Sequence, residues 1–314
     1  MTTLSKIILS FSFYFFIPFM LVAQSSLPTS EIFGRWNLTI QSQDGNQPAW
    51  LEVKKSGTKT MVGYYVGPGG SARPISKIEY DQDRQLFTFS IPPQWENLKN
   101  DLFFQFSLSN NEITGSTTLD QETVQWKGVR APDLIRESAS VWGKPNNLLD
   151  ENLAKWNIPE NNQFRYENGI LINKKTGGNL VSKEKYNDFK LQLEFRYPEN
   201  SNSGVYLRGR YEIQIADDYG KKPSEQTLGG IYGFIEPSVN AAKKANEWQT
   251  LEVTLVGRLV TIVINGVEVV VNRPIPGITG GALDSNEGMP GPIMIQGDHG
   301  PVELRNMVIT PAVN

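Results

Sequence analysis

From Phe33 onward, apolar and polar residues alternate in short runs cut by Gly, Pro and Asn, and stretches with apolar residues at i, i+3 and i+4 are scarce. Alternation is the strand period, because successive side chains point to opposite faces. The pattern predicts eight strands in the first half: Phe33–Gln41, Ala49–Lys54, Thr60–Val66, Ile75–Tyr80, Leu86–Ile91, Leu102–Ser107, Glu112–Leu119 and Thr123–Arg130. Eight short strands in residues 25–130 predict a small antiparallel barrel or sandwich. Between Ala131 and Asn147 strand character drops and Pro132 and Pro145 intervene, so 131–147 reads as a connector with a short helix at Asp133–Ser140.

The second half, 148–314, predicts nine strands: Gly169–Asn173, Phe189–Tyr197, Gly204–Arg208, Tyr211–Ala216, Trp248–Val256, Leu259–Ile264, Val267–Val271, Pro292–Gly297 and Val302–Ile309. Asn265-Gly266 separates two β-branched runs and reads as a tight hairpin turn, since both residues tolerate positive φ. The expected class is all-β, with a C-terminal jelly-roll sandwich preceded by the smaller barrel or sandwich. Gly34-Arg35-Trp36 resembles the Gly-x-Trp opening of lipocalin-like barrels, where the Trp plugs one end. The same residues equally suit a core Trp after a turn Gly.

The first 24 residues break the pattern. Lys6 precedes an apolar run, Ile7–Val22, and Leu21-Val22-Ala23-Gln24 offers a cleavage site after Ala23. At 16 residues, with Pro18 inside, the run is short of the roughly 20 needed to span a bilayer. It reads as a signal peptide on an exported, periplasmic or secreted protein. No second long apolar run predicts a membrane span. The formal charge is −3, which argues against an electrostatic nucleic-acid binder. With no Cys, the chain has no disulfide, thiolate metal site or cysteine nucleophile. The single His, His299, excludes any arrangement that needs two within one chain.

Strand parity sorts the remaining polar residues. Phe189, Leu191, Leu193 and Phe195 share one face, leaving Glu194 and Arg196 on the other. Val205 and Leu207 oppose Tyr206 and Arg208, and Tyr211, Ile213 and Ile215 oppose Glu212 and Gln214. Ile293 and Ile295 oppose Met294, Gln296 and Asp298, with His299 following in a Gly-flanked turn. A solvated sheet face would also be polar. This one mixes carboxylates, guanidinium groups, amides and aromatics, the groups that recognise sugar hydroxyls by hydrogen bonding and stacking. Elsewhere the plain readings hold: Asp217-Asp218 as a solvated turn rather than a cation site, Gly67-Pro68-Gly69-Gly70 as a hairpin loop rather than a phosphate loop, Lys243-Lys244 as exposed, and Trp248 as core.

An ordered series of segments over residues 148–311 resembles the 3-keto-disaccharide hydrolase domain family. Asp188-Phe189 with Leu191-x-Leu193-Glu194-Phe195-Arg196 is similar to its "DFxLxxEFR", and Asn202–Arg208 to "NSGxxLR". Tyr211-Glu212-Ile213-Gln214-Ile215-x-Asp217 is similar to "YEVQIxD", Gly230–Gly233 to "GAIYG", and Glu247-Trp248-Gln249-Thr250 to "EWNT". Gly291–Asn306 resembles "GxIxLQxHGxPVxFRNI". The usual "FNGKDLSGW" opening is matched only loosely, by Asn147–Asp150 and Trp156, and residues 25–130 lie outside the resemblance. The resemblance implies a concanavalin-like jelly roll with a sugar-binding concave face, and cleavage of glycosides oxidised at C3. The first half then reads as an accessory barrel.

A C3 ketone acidifies the C2 proton, so an enolate can expel the C1 substituent. Such a site needs a base near C2, a positive group or metal at the C3 oxygen, and an acid at the leaving oxygen. Expected roles are His299 as base or metal ligand and Glu194 or Glu212 as acid/base. Arg196 and Arg208 are expected at the enolate, with Gln214, Tyr232 and Gln296 orienting hydroxyls. A divalent metal is compatible with these groups, but no spacing demands one. Glycoside hydrolysis by two carboxylates is the alternative chemistry. A non-catalytic lectin-like module is the alternative class.

Overall fold

The computed structural model describes residues 30–42, 45–119 and 122–314. The signal segment read from the sequence lies outside them. Eight strands come first: β1 (Gly34–Ser42), β2 (Gly45–Ser56), β3 (Thr60–Val66), β4 (Arg73–Asp81), β5 (Leu86–Ile91), β6 (Leu102–Ser109), β7 (Glu112–Leu119) and β8 (Glu122–Arg130). Each pairs with the next, and β1 pairs back onto β8, so the sheet closes into a barrel without free edges. Its interior is filled by aromatic side chains, with Phe89 stacked on Phe104 at 4.4 Å and Phe87 on Phe106 at 5.0 Å. Trp36 is fully buried in this core: its indole N–H donates to the Ile32 carbonyl (3.0 Å), and the Arg130 guanidinium lies 3.8 Å from the ring centroid. Gly34, at φ 122°, makes the turn that delivers Trp36.

Residues 131–145 contain no helix, against expectation. An eight-residue segment has little helical stability of its own. Here long-range contacts hold it open instead: Arg136 donates twice to Asp188 (2.5 and 2.8 Å), and Arg258 donates to the Pro132 carbonyl.

Thirteen further strands follow: β9 (Asn146–Asn147), β10 (Trp156–Asn157), β11 (Phe164–Glu167), β12 (Ile170–Asn173), β13 (Leu180–Tyr186), β14 (Phe189–Arg196), β15 (Asn202–Leu207), β16 (Tyr211–Ala216), β17 (Gln249–Val256), β18 (Leu259–Ile264), β19 (Val267–Pro274), β20 (Gly291–Ile295) and β21 (Val302–Pro311). They form two antiparallel sheets. One has the order β10-β13-β20-β15-β16; the other runs β11-β12-β21-β14-β17-β18-β19, with β9 beside β21. The apolar parity sets meet between them, where Leu191, Phe195, Val205, Ile213 and Ile295 are buried in one cluster. Asn265 and Gly266 turn β18 into β19 with φ 51° and 78°. Strand β13 escaped the sequence reading because its Ser-Lys-Glu-Lys centre carries no apolar alternation.

The outer faces of the two sheets differ. On β14 the outward positions are exposed or half-buried, as on an ordinary wet sheet. On β15, β16 and β20 nearly every position is buried on both sides. The cover comes from loops. Tyr232 N–H donates to the Glu212 carbonyl, Glu212 N–H donates to Thr279 Oγ1, and Gly281 N–H donates to Pro68 of the barrel. The barrel is also anchored by Trp50, which is fully buried in the sandwich core and packs edge-on against Phe234 at 5.3 Å.

Candidate active site

The covered face is hollow at one place. A cleft of about 670 Å3 is lined by Tyr206, Glu212, Gln214, Tyr232, Gln296, Asp298 and His299, together with Asn179, Asn202, Asp218 and, from the barrel half, residues 68–70 and Trp95. The antiparallel pairing explains the assembly. Tyr206 sits opposite Glu212 between β15 and β16, and opposite Met294 on β20. Gln296 follows β20, its backbone N–H donating to the Gly204 carbonyl (2.9 Å).

Glu212 is buried to 5% exposure. Its carboxyl fits only because residue 204 is Gly: a Cβ there would stand 2.4 Å from Glu212 Oε1. Burial pushes its pKa from the ordinary 4.5 up to about 8, against the lowering effect of the Tyr206 hydrogen bond and of His299. The Tyr206 hydroxyl lies 2.8 Å from Glu212 Oε2 and 3.0 Å from the Gly280 carbonyl. A hydroxyl has one hydrogen. With a protonated Glu212, Tyr206 donates to Gly280 and accepts from the carboxyl, and both contacts are satisfied.

His299 is half-exposed at the cleft wall, with Nδ1 2.8 Å from Asp298 Oδ1. That hydrogen bond, and the carboxylate charge behind it, hold the imidazole pKa above its ordinary value and the Asp298 pKa below its own. Asn179 Oδ1 accepts from Gly297 N–H at the same turn (2.8 Å) and so fixes the approach of the chain to His299. The side-chain oxygens of Asn202, Gln214 and Gln296 are buried in this lining without a hydrogen-bond partner in the protein. Buried amide oxygens left open in this way can accept from ordered water or from the hydroxyls of a ligand in the cleft.

Five of the residues expected from the sequence thus surround one cleft: Glu212, Gln214, Tyr232, Gln296 and His299. Three do not. Glu194 and Arg196 lie on β14, in the other sheet. Glu194 accepts from Asn306 (2.6 Å) and Arg305 (2.6 and 2.9 Å), and these partners keep its carboxyl ionised. Arg196 donates to Glu303 (2.5 Å) and lies over the half-buried Trp248 ring, which is therefore not core. Parity assigns a face within a sheet and says nothing about which of two sheets a strand joins. Arg208 follows the end of β15 with φ 52°, which breaks strand parity. Its guanidinium is buried against Tyr211 and donates to the Gly257 carbonyl (2.7 Å), away from the cleft. Asp217 and Asp218 are occupied as acceptors, from Asn200 N–H and from Leu228 N–H and Lys221. Sequence reading passed over Tyr206, Asn179 and Trp95; Tyr206 alone carried a signal, on the polar parity of β15.

Among the described residues, no three His, Asp or Glu side chains converge as a metal-ligand set. No helix among them is long and apolar enough to cross a membrane.

A two-sheet sandwich with an acid, an imidazole and open amides around a cleft has the groups to bind a hydroxylated ligand and move protons on it. Residues 144–310 match the family described as 3-keto-alpha-glucoside-1,2-lyase-like domain, and the chain belongs to that family. Among solved structures, two candidate glycosyl hydrolases from Parabacteroides distasonis are similar. One is 27% identical over 52% of this chain and 82% of its own, with a TM-score of 0.47; the other is 26% identical over 53% and 98%, with a TM-score of 0.44. Trypanosoma rangeli sialidase is 8% identical over 89% of this chain and 64% of its own, with a TM-score of 0.33. Each score is below 0.5, and the family rests on the sequence match. No curated protein matches the chain.

Proposed function

We propose that the cleft cleaves 3-keto-glycosides by removing the C2 proton and expelling the C1 substituent. The observation that carries this reading is the pairing, in one cleft, of a buried carboxyl held protonated near neutrality, Glu212, with an accessible imidazole oriented by a carboxylate, His299–Asp298.

With Nδ1 turned to Asp298, Nε2 of His299 is the basic nitrogen, and it takes H2. The C–H electron pair becomes the C2=C3 double bond of an enolate, with charge on O3. When the carbonyl re-forms, C1=C2 forms and the C1–O bond breaks. Glu212 gives its proton to the departing oxygen. The products are a 2-hydroxy enone and the free alcohol, and water adding across C1=C2 gives net hydrolysis. Proton return from His299 to Glu212 through water resets the site. Since Arg196 and Arg208 lie elsewhere, charge on O3 falls to the hydroxyl of Tyr232, kept protonated by burial and by the nearby Glu212, while the open amide oxygens of Asn202, Gln214 and Gln296 accept from the sugar hydroxyls.

Export is part of the same proposal. It rests on Lys6, the Ile7–Val22 run and the Ala23 junction. Incubation with 3-keto-glucosides, with and without chelator, tests the reaction. The expected result is transient enone absorbance and release of the aglycone. Sugar binding without cleavage, with divalent metals supplied, would instead support a lectin-like module.

A further inference from the structure

The barrel reaches the cleft with one large side chain. Trp95, in the loop between β5 and β6, is 58% exposed, the most exposed aromatic ring among the described residues that pack as large hydrophobics. It lines the same cleft as Glu212 and His299. An exposed indole on a mobile loop would mean little, but this one is fixed. A Cβ on Gly70 would stand 2.7 Å from its Cδ1 and 2.9 Å from its Nε1, and one on Gly69 would stand 3.4 Å from the ring. The indole therefore lies on bare backbone, a contact that only Gly allows.

The turn carrying Trp95 is clamped on both sides. The Glu96 carboxylate accepts from the backbone N–H groups of Gln94 (2.9 Å) and Trp95 (3.3 Å) and takes both arms of the Arg73 guanidinium (3.0 and 3.2 Å). Gln94 in turn accepts from Ser71 N–H (3.0 Å) and donates to Ser71 Oγ (2.5 Å). The loop below is docked on the sandwich. Gly281 N–H donates to the Pro68 carbonyl (2.8 Å), and a Cβ on Gly280 would stand 2.2 Å from the Gly70 carbonyl oxygen. A rigid aromatic face opening onto a polar cleft suits the apolar C–H face of a sugar or aryl ring.

We propose that Trp95 is a specificity-determining platform: the barrel supplies the stacking surface for a ring in the leaving group, so that the cleft selects disaccharides and aryl glycosides over glycosides of small alcohols. This rests on the reading of the cleft as a glycoside-cleaving site. Glu212 and His299, on the sandwich side, hold the reacting ring, and Trp95, on the barrel side, holds the second.

The test compares W95A and W95F with wild type on a 3-keto-disaccharide and on methyl 3-keto-glucoside. In W95A the ratio of kcat/KM for the disaccharide to that for the methyl glycoside is expected to fall about tenfold, and W95F to recover part of it. A ratio within about twofold of wild type overturns the platform. Isothermal titration with the unoxidised disaccharide and with methyl glucoside runs alongside. If wild type cleaves neither substrate, the reaction assignment fails. The platform still stands if W95A loses disaccharide affinity selectively, and falls if it does not. Near-UV circular dichroism and the melting temperature of W95A report whether the exposed site leaves the fold intact.

Discussion

Replacing Glu212 by Gln separates the two things its burial does. The amide has the same shape and sits beside the same Tyr206, but it has no acidic proton to give. Turnover of alkyl-leaving-group substrates should therefore fall about 10²-fold or more, and that of nitrophenyl leaving groups, which depart without protonation, much less. Stability should move the other way. Raising the carboxyl from 4.5 to about 8 makes its ionisation about 4 to 5 kcal/mol harder in the folded protein. The folded state thus holds a proton that the unfolded chain releases. Below about pH 4.5 both states are protonated and nothing is lost; as pH rises towards 8, the wild type loses stability by about 1.4 kcal/mol per pH unit. Glu212→Gln has no such titration. It should match the wild type near pH 4 and be more stable by up to about 3 kcal/mol at pH 7, a trade of stability against activity. Urea unfolding at pH 4.5, 7 and 8.5, with kinetics on both substrate types, measures this. Equal stability at all three pH values, or an unchanged alkyl rate, would refute the role given to burial.

The pH profile of the wild type should be a narrow bell, its acid limb above the ordinary imidazole value and its alkaline limb near 8, from kcat/KM measured across pH 5 to 10. Asp298→Asn removes the charge that holds the His299 pKa up, so the acid limb should move to lower pH, while kcat falls because the ring loses its orientation. Gly204→Ala places a methyl 2.4 Å from Glu212 Oε1 and should displace that carboxyl, lowering kcat by about tenfold or more with little change in KM. Glu194→Gln, on the other sheet, should leave kcat within about twofold and cost about 1 kcal/mol in a melting assay, by weakening its pairing with Arg305 and Asn306.

Much of the architecture was legible before any coordinates. Strand alternation located all eight barrel strands, and the parity of Phe189–Phe195 and Tyr211–Ile215 named the core-facing side chains correctly. Asn265-Gly266 marked its hairpin. The misses have definite causes. Strand β13 buries apolar side chains only at its ends, Leu180 and Tyr186, so its polar centre gave no alternation, and its pairing with β10 and β20 fixes its place. Segment 133–140 lost its expected helix to long-range ion pairs. Arg208 left the polar face because its φ of 52° ends the strand register one residue early.

The sequence by itself determined the local facts: which stretches are strands, which side of each strand is apolar, and which residue types can carry acid, base and amide chemistry. Side-chain period and turn chemistry act over a few residues, so they are written into the chain locally. Only the tertiary structure decided which sheet each strand joined, which sent Glu194 and Arg196 to a wet outer face and left Glu212 buried. Burial is a property of what covers a group, and the groups packed on Glu212 come from positions as far apart along the chain as Gly204, Tyr232 and Thr279. The desolvation that keeps this carboxyl protonated therefore exists only once these distant segments have packed around it.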